Sequence, residues 1–113
     1  MLAMQEVKRI AGEMCRLVSK IFPQERIDAV LFGSYARGDA EEGSDIDLLL
    51  LVDSSRETIS EKSWQIGGAA AELLLNYGVL LSPIVENRQY FQSNSQLLPL
   101  FRNISAEGVP LSA

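Results

Sequence analysis

The stretch LFGSYARGDAEEGSDIDLLLLVD, residues 31–53, decides how the chain is read. A short apolar run ends at Gly33, a glycine–serine turn follows, and an acidic loop leads to Asp45-Ile46-Asp47, which opens a second, almost wholly apolar run. Strand residues alternate between faces, so Asp45 and Asp47 project together on one side, and Ile46 and Leu48 project on the other, toward a core. Two carboxylates about 6.5–7 Å apart on one strand face repel each other unless a cation lies between or before them. Divalent ions held by such groups serve in-line phosphoryl and nucleotidyl transfer.

The turn supplies a complementary half. Gly33 lets the backbone approach a ligand closely. Ser34 adds a hydroxyl, and the amides of Ser34 and Tyr35 open a short helix through Arg37, where helix-start amides favour phosphate oxygens. Arg37 adds a permanent cation, and Gly38 ends the turn. Alone, a Gly-Ser turn reads first as a strand-to-helix connection, and a lone Asp-x-Asp first as a solvated strand end. Together they read as a phosphate-binding turn, Gly33, Ser34 and Arg37, beside two metal-binding carboxylates, Asp45 and Asp47.

Outward from the motif, Val7, Ile10, Ala11, Met14, Leu17, Val18 and Ile21 recur at helical spacing and predict a helix over residues 2–21, ended by Pro23. Residues 27–32 and 45–52 read as strands. Ser54-Ser55-Arg56-Glu57 reads as a capping box with Ser54 as N-cap. The helix behind it carries Ile59, Ile66, Ala70, Leu73, Leu74 and Tyr77 on one side and stops at Gly78. Its Gly67-Gly68 pair reads either as close packing on the sheet or as a helix break. Residues 79–85 read as a third strand, which Pro83 confines to an edge or a bulge. Residues 88–92 read as a helical turn and 97–107 as a helix stopped by Gly108. The expected architecture is α/β (α+β): a small mixed β-sheet packed with helices, in one domain spanning residues 1–113.

Composition narrows the function. With 10 basic against 15 acidic residues the net charge is −5, which argues against a broad duplex nucleic-acid surface. A nucleotide remains compatible, because metal ions bridge carboxylates to phosphates. The chain has no histidine, so Cys-His and Ser-His-Asp mechanisms are excluded and a zinc site is disfavoured. Its single cysteine, Cys15, falls in the first helical pattern and reads as a buried thiol. The longest unbroken apolar run near the motif is residues 48–52, too short for a membrane span, and the simplest expectation is a cytoplasmic protein.

Gly33-Ser34-Tyr35-Ala36-Arg37-Gly38, followed by Ser44-Asp45-Ile46-Asp47-Leu48, resembles the signature of the polymerase-beta-like nucleotidyltransferase superfamily, and most closely its minimal nucleotidyltransferases. The order of elements through about residue 86 fits as well. The resemblance implies a nucleotidyltransferase fold and a nucleoside triphosphate, ATP by expectation, held by Gly33 and Ser34. Asp45 and Asp47 would bind Mg2+ or Mn2+ and serve catalysis as an acceptor hydroxyl attacks the α-phosphate. It also implies a small helical partner of the HEPN type, which such proteins serve as substrate-binding or antitoxin components, and which the transferase can modify. Homodimerisation is left open, and Trp64, off the main stripe of its helix, is the better interface candidate. Phe91, Leu97, Leu98, Leu100 and Phe101 read instead as a closing helix packed on the sheet. Active relatives place a third carboxylate on the next strand, where this chain has Ser82. Glu86, four residues on, reads as a surface or capping residue ahead of a substitute ligand. The alternative function is therefore that of a catalytically impaired relative that binds nucleotide or partner.

Overall fold

The computed structural model describes residues 1–111. The chain runs α1 (Met4–Ile21), β1 (Asp28–Phe32), α2 (Ser34–Arg37), β2 (Ile46–Val52), α3 (Arg56–Glu61), α4 (Ser63–Tyr77), β3 (Leu81–Asn87), α5 (Arg88–Asn94), α6 (Pro99–Glu107) and β4 (Val109–Leu111). The four strands form one mixed sheet in the order β3-β2-β1-β4. β1 is antiparallel to β2 and β4, whereas β2 and β3 run parallel. The α/β reading with a small mixed sheet holds.

β2 is flanked on both edges and covered on both faces, which is why its sequence is nearly continuous in leucine rather than alternating. Ile46, Leu48, Leu50 and Val52 enter one core with Val7, Ile10, Met14 and Val18 of α1 and Ile66 and Leu73 of α4. Leu49 and Leu51 enter a second, smaller core with Ile104 of α6, flanked by Val30, Phe32, Ile84 and Phe91. The period-two rule thus assigns Asp47 to the face of the sheet that α6 covers. β3 is an edge strand, as Pro83 requires.

Several boundaries move by one or two residues, the usual fraying of element ends. Three differences have distinct causes. The N-cap is Ser55, not Ser54: its hydroxyl accepts the Thr58 N–H at 3.2 Å, while the N–H and hydroxyl of Ser54 both donate to Glu25. The long second helix is divided at Lys62, at φ −100° and ψ 8°, whose ammonium donates to the Ile21 carbonyl at 2.7 Å and lies over the Phe22 ring. Gly67 and Gly68 are neither a break nor a close contact, since a Cβ at either meets nothing within 4 Å. Strand β4 has no clear sequence signal at three residues including a proline, and forms by pairing with β1. The apolar faces also differ in part from their reading. Leu74 is 41% exposed and so lies off the buried stripe of α4, while Trp64 is 76% exposed, as its off-stripe position suggests. Phe101 is buried, but Leu97, Leu98 and Leu100 remain exposed.

No helix among the described residues is long and apolar enough to cross a membrane. Cys15 is partly buried, and that burial pushes its thiol up from the ordinary value.

Two outcomes are expected in urea or acid titrations. Leu50→Ala, which empties part of the larger core, lowers unfolding free energy by about 2–5 kcal/mol, whereas Leu75→Ala on the open face of α4 changes it by less than about 0.5 kcal/mol; equal losses would contradict the assignment of faces. Burial raises the Glu25 carboxyl, but the hydroxyl and amide of Ser54 and the amide of Asp53 outweigh it and leave a net lowering from 4.5. A lowered folded-state value stabilises above the unfolded value and is lost as pH falls through the folded one. Glu25→Gln should therefore destabilise at pH 7, with the gap to wild type closing below about pH 4.5; a gap independent of pH would contradict the clamp.

Candidate active site

The site forms where β1 ends, β2 begins and β3 begins. Gly33 leaves β1 at φ 74° and ψ −155°, a backbone conformation L side chains rarely adopt. A Cβ there would lie 2.1 Å from Oδ2 of Asp47, so glycine is demanded by backbone and by neighbour alike. The Gly33 carbonyl accepts the N–H groups of Ala36 and Arg37, which closes α2 and leaves the Ser34 and Tyr35 amides without an intrahelical acceptor. The Tyr35 ring is buried, and its hydroxyl accepts the Leu2 N–H at 3.2 Å, fastening α2 to the start of α1. Gly38 caps α2 in the left-handed region at φ 84°.

The two aspartates lie on the adjacent strand. Asp47 sits opposite Phe32 in the β1–β2 ladder and opposite Ser82 in the β2–β3 ladder. Asp45 stands just before β2, and its Oδ2 accepts a hydrogen bond from the Ser82 hydroxyl at 3.2 Å. Both are half-buried. Burial pushes the Asp47 carboxyl up, the neighbouring Asp45 charge pushes it further and Glu107 adds to this, while Arg37 opposes the rise. The like charges of Asp45 and Asp47 thus face each other in a partly desolvated place, the condition a bound cation relieves.

Gly33, Ser34, Arg37, Asp45 and Asp47 therefore gather at one end of the sheet. Glu107, at the end of α6, was not legible in the sequence. Its Oε1 accepts the Gly33 N–H at 3.2 Å and an Arg37 guanidinium N–H at 3.3 Å; a lone Glu before a helix-stopping glycine carries no signal of this. Arg37 also donates to Asp39 at 3.2 Å. Glu86 is not a surface residue: it is buried opposite Leu51, at the far end of β3, where its carboxylate accepts from Arg56 and from the N–H of Asn87, the residue whose own side chain caps α5. Arg56 in turn stacks on the Tyr90 ring.

Among the described residues no group of three or more His, Cys, Asp or Glu side chains is placed to hold a metal ion. Asp45 and Asp47 offer hard oxygen donors of the kind Mg2+ and Mn2+ take, and two carboxylates would leave most of such an ion's positions to ligands from outside the protein. The donor set fits an ion held only in part by protein rather than one caged by it. A hollow of about 490 Å3 between α1, β1 and β4, lined by Lys8, Gly12, Cys15, Ile27 and Leu111 among others, contains none of these residues and lies apart from this chemistry.

Comparison with known proteins places the geometry in a family. Three proteins of Methanocaldococcus jannaschii, named as candidate protein adenylyltransferases, are similar to the chain. The first is 40% identical over 80 residues, covering 71% of this chain and 79% of the relative. The second is 38% identical over 79 residues, covering 70% and 71%. The third is 32% identical over 79 residues, covering 70% and 54%. A solved structure described as a toxin–antitoxin with AMP-PNP shares the fold at a TM-score of 0.62 and 21% identity, covering 94% of this chain and 73% of the other. The family model of the nucleotidyltransferase domain matches residues 7–100, from α1 through the turn and both aspartates to the start of α6, and the chain belongs to that family.

Proposed function

We propose that the protein is a metal-dependent nucleotidyltransferase that moves AMP from ATP to a hydroxyl acceptor, with residues 1–113 acting as one domain. The observation that carries this reading is the contact of the Asp47 carboxylate with Gly33, two residues after Asp45 at the start of β2. It brings the phosphate turn and the carboxylate pair within one ligand's span. The names of the three relatives support adenylyl transfer, and support a protein as acceptor.

In this reading the free amides of Ser34 and Tyr35 and the Ser34 hydroxyl bind the β- and γ-phosphates. A divalent ion, Mg2+ or Mn2+, held by Asp45 and Asp47, would neutralise charge on the phosphate oxygens. The acceptor oxygen bonds to the α-phosphorus, the bond to the β-phosphate oxygen breaks, and pyrophosphate leaves along the turn. Arg37 offsets the local negative charge, since it is the cation that opposes the rise of Asp47. The hydroxyl proton passes to carboxylate or water at the Asp45 edge.

The acceptor is assigned to a small helical partner of the HEPN type, in a cytoplasmic toxin–antitoxin pair. Trp64 and Leu75 of α4, exposed at 76% and 86%, offer it apolar surface, and a toxin–antitoxin neighbour in fold motivates the pairing. A homodimer has no observation in its favour. One observation favours a second reading, a nucleotide- or partner-binding module with impaired chemistry: Ser82 stands directly beside Asp45, where a third carboxylate would act as base. A serine hydroxyl cannot take that proton near pH 7.

Incubated with partner, Mg2+ and ATP labelled at the α-phosphate, the wild type should transfer label, and Asp45→Asn or Asp47→Asn should cut transfer about a hundredfold or more. No transfer by wild type would sink the enzymatic reading. Gly33→Ala should abolish MgATP binding through both its strained φ and its collision with Asp47; retained affinity would show that the turn is not the phosphate site. Ser82→Asp should raise the transfer rate about tenfold or more by restoring a base, and an unchanged rate would mean that proton removal does not limit the reaction.

A further inference from the structure

Glu107 reaches the turn from a position 74 residues along the chain, and the fold dictates that it arrives there. Phe101 and Ile104 anchor α6, Ile104 against Leu49 and Leu51. Gly108 ends α6 in a contact so close that a Cβ would lie 2.6 Å from Cγ1 of Val30 and 2.5 Å from the Ile104 carbonyl oxygen. β4 then pairs with β1 in the register Leu31↔Val109, Val30↔Pro110 and Ala29↔Leu111. Continuing that antiparallel register past Val109 brings Gly108 opposite Phe32 and Glu107 opposite Gly33. The ladder itself cannot continue, because Glu107 is still helical and Gly33 has turned away at positive φ. The Gly33 N–H that a longer ladder would have paired is taken by the Glu107 side chain instead.

That N–H belongs to the N-cap residue of α2, which in a capping box is satisfied by an acidic or amide side chain three residues on. The residue at that place is Ala36, which has no acceptor to offer. Glu107 performs the task from another helix, and the same oxygen accepts from Arg37 at 3.3 Å. One carboxylate thereby joins the first residue of the turn to the last residue of α2. Its negative charge also adds to that around Asp47, an electrostatic cost borne beside a site that must admit a polyanion.

We propose that Glu107 is a positioning residue of the phosphate turn: it fixes the Gly33 N–H and Arg37 so that the Ser34 and Tyr35 amides stand ready for a triphosphate. This rests on the reading of the turn as the phosphate site. The opposite role, a carboxylate that blocks the site against nucleotide, uses the same contacts and differs in the sign of its effect.

The test compares the full chain with Glu107→Ala and Glu107→Gln by two readouts: amide hydrogen exchange of Gly33 relative to Leu49 and Leu50 in β2, and MgATP affinity by calorimetry. Glu107→Ala should speed Gly33 exchange at least about tenfold with the β2 amides unchanged, and weaken MgATP about tenfold. Glu107→Gln, whose carbonyl still accepts the Gly33 N–H, should restore most of the protection. Unchanged Gly33 exchange in the alanine variant, tighter MgATP binding in it, or a glutamine variant no better than alanine each overturns the proposal. If the wild type binds no MgATP, the phosphate reading fails by itself, and Gly33 exchange still decides whether Glu107 holds the turn.

Discussion

The approach of Asp47 to Gly33 is the constraint on which the rest of the site depends. Placing a carboxylate oxygen where a Cβ would otherwise stand requires a residue without one, and the same residue must take a positive φ to leave β1. The β1–β2 register enforces the contact, because Asp47 lies opposite Phe32, the last residue before the turn. That register is itself held by leucines buried on both faces of β2, where slippage by one residue would carry Asp47 to the α1 side. The core thus sets the distance between the Gly33 turn and the Asp47 carboxylate.

The charge arrangement follows from this placement. Asp45, Asp47 and Glu107 converge with Arg37 on one sheet end, and the net effect on Asp47 is an upward shift. Like charges gathered in a partly desolvated place are unfavourable by themselves, and under the proposed function a divalent ion with its triphosphate would relieve them. Ser82 donates to Asp45 without adding charge. Where a carboxylate at this position would supply both charge and a base, the Ser82 hydroxyl supplies neither near pH 7.

Much of this was legible in the sequence where local physics dominates. The period-two rule separated Asp47 from Ile46 and Leu48, Pro83 marked an edge strand, and Gly33, Ser34, Arg37, Asp45 and Asp47 converge as their order suggested. Ser82 was located through the family resemblance, as the residue at the place of a third carboxylate on the strand after α3 and α4, and the β2–β3 register sets it opposite Asp47. Long-range side-chain bonds were not legible. Glu25 diverted Ser54 from its capping role, and the carbonyl of Ile21 drew Lys62 out of a helix that propensity would have continued. β4 and Glu107 were missed for one reason: three residues with a proline acquire strand geometry only against β1, and only that pairing carries Glu107 to Gly33.

The most direct measurement is a crystal structure of the protein grown with Mn2+ and a non-hydrolysable ATP analogue, read by the anomalous signal of manganese. A manganese peak touching Asp45, Asp47 and the phosphate oxygens, with the terminal phosphates on the Ser34 and Tyr35 amides, is the predicted result. Nucleotide bound elsewhere, or no manganese at the two aspartates with millimolar ligand present, would contradict the assignment of this sheet end as a nucleotidyl-transfer site.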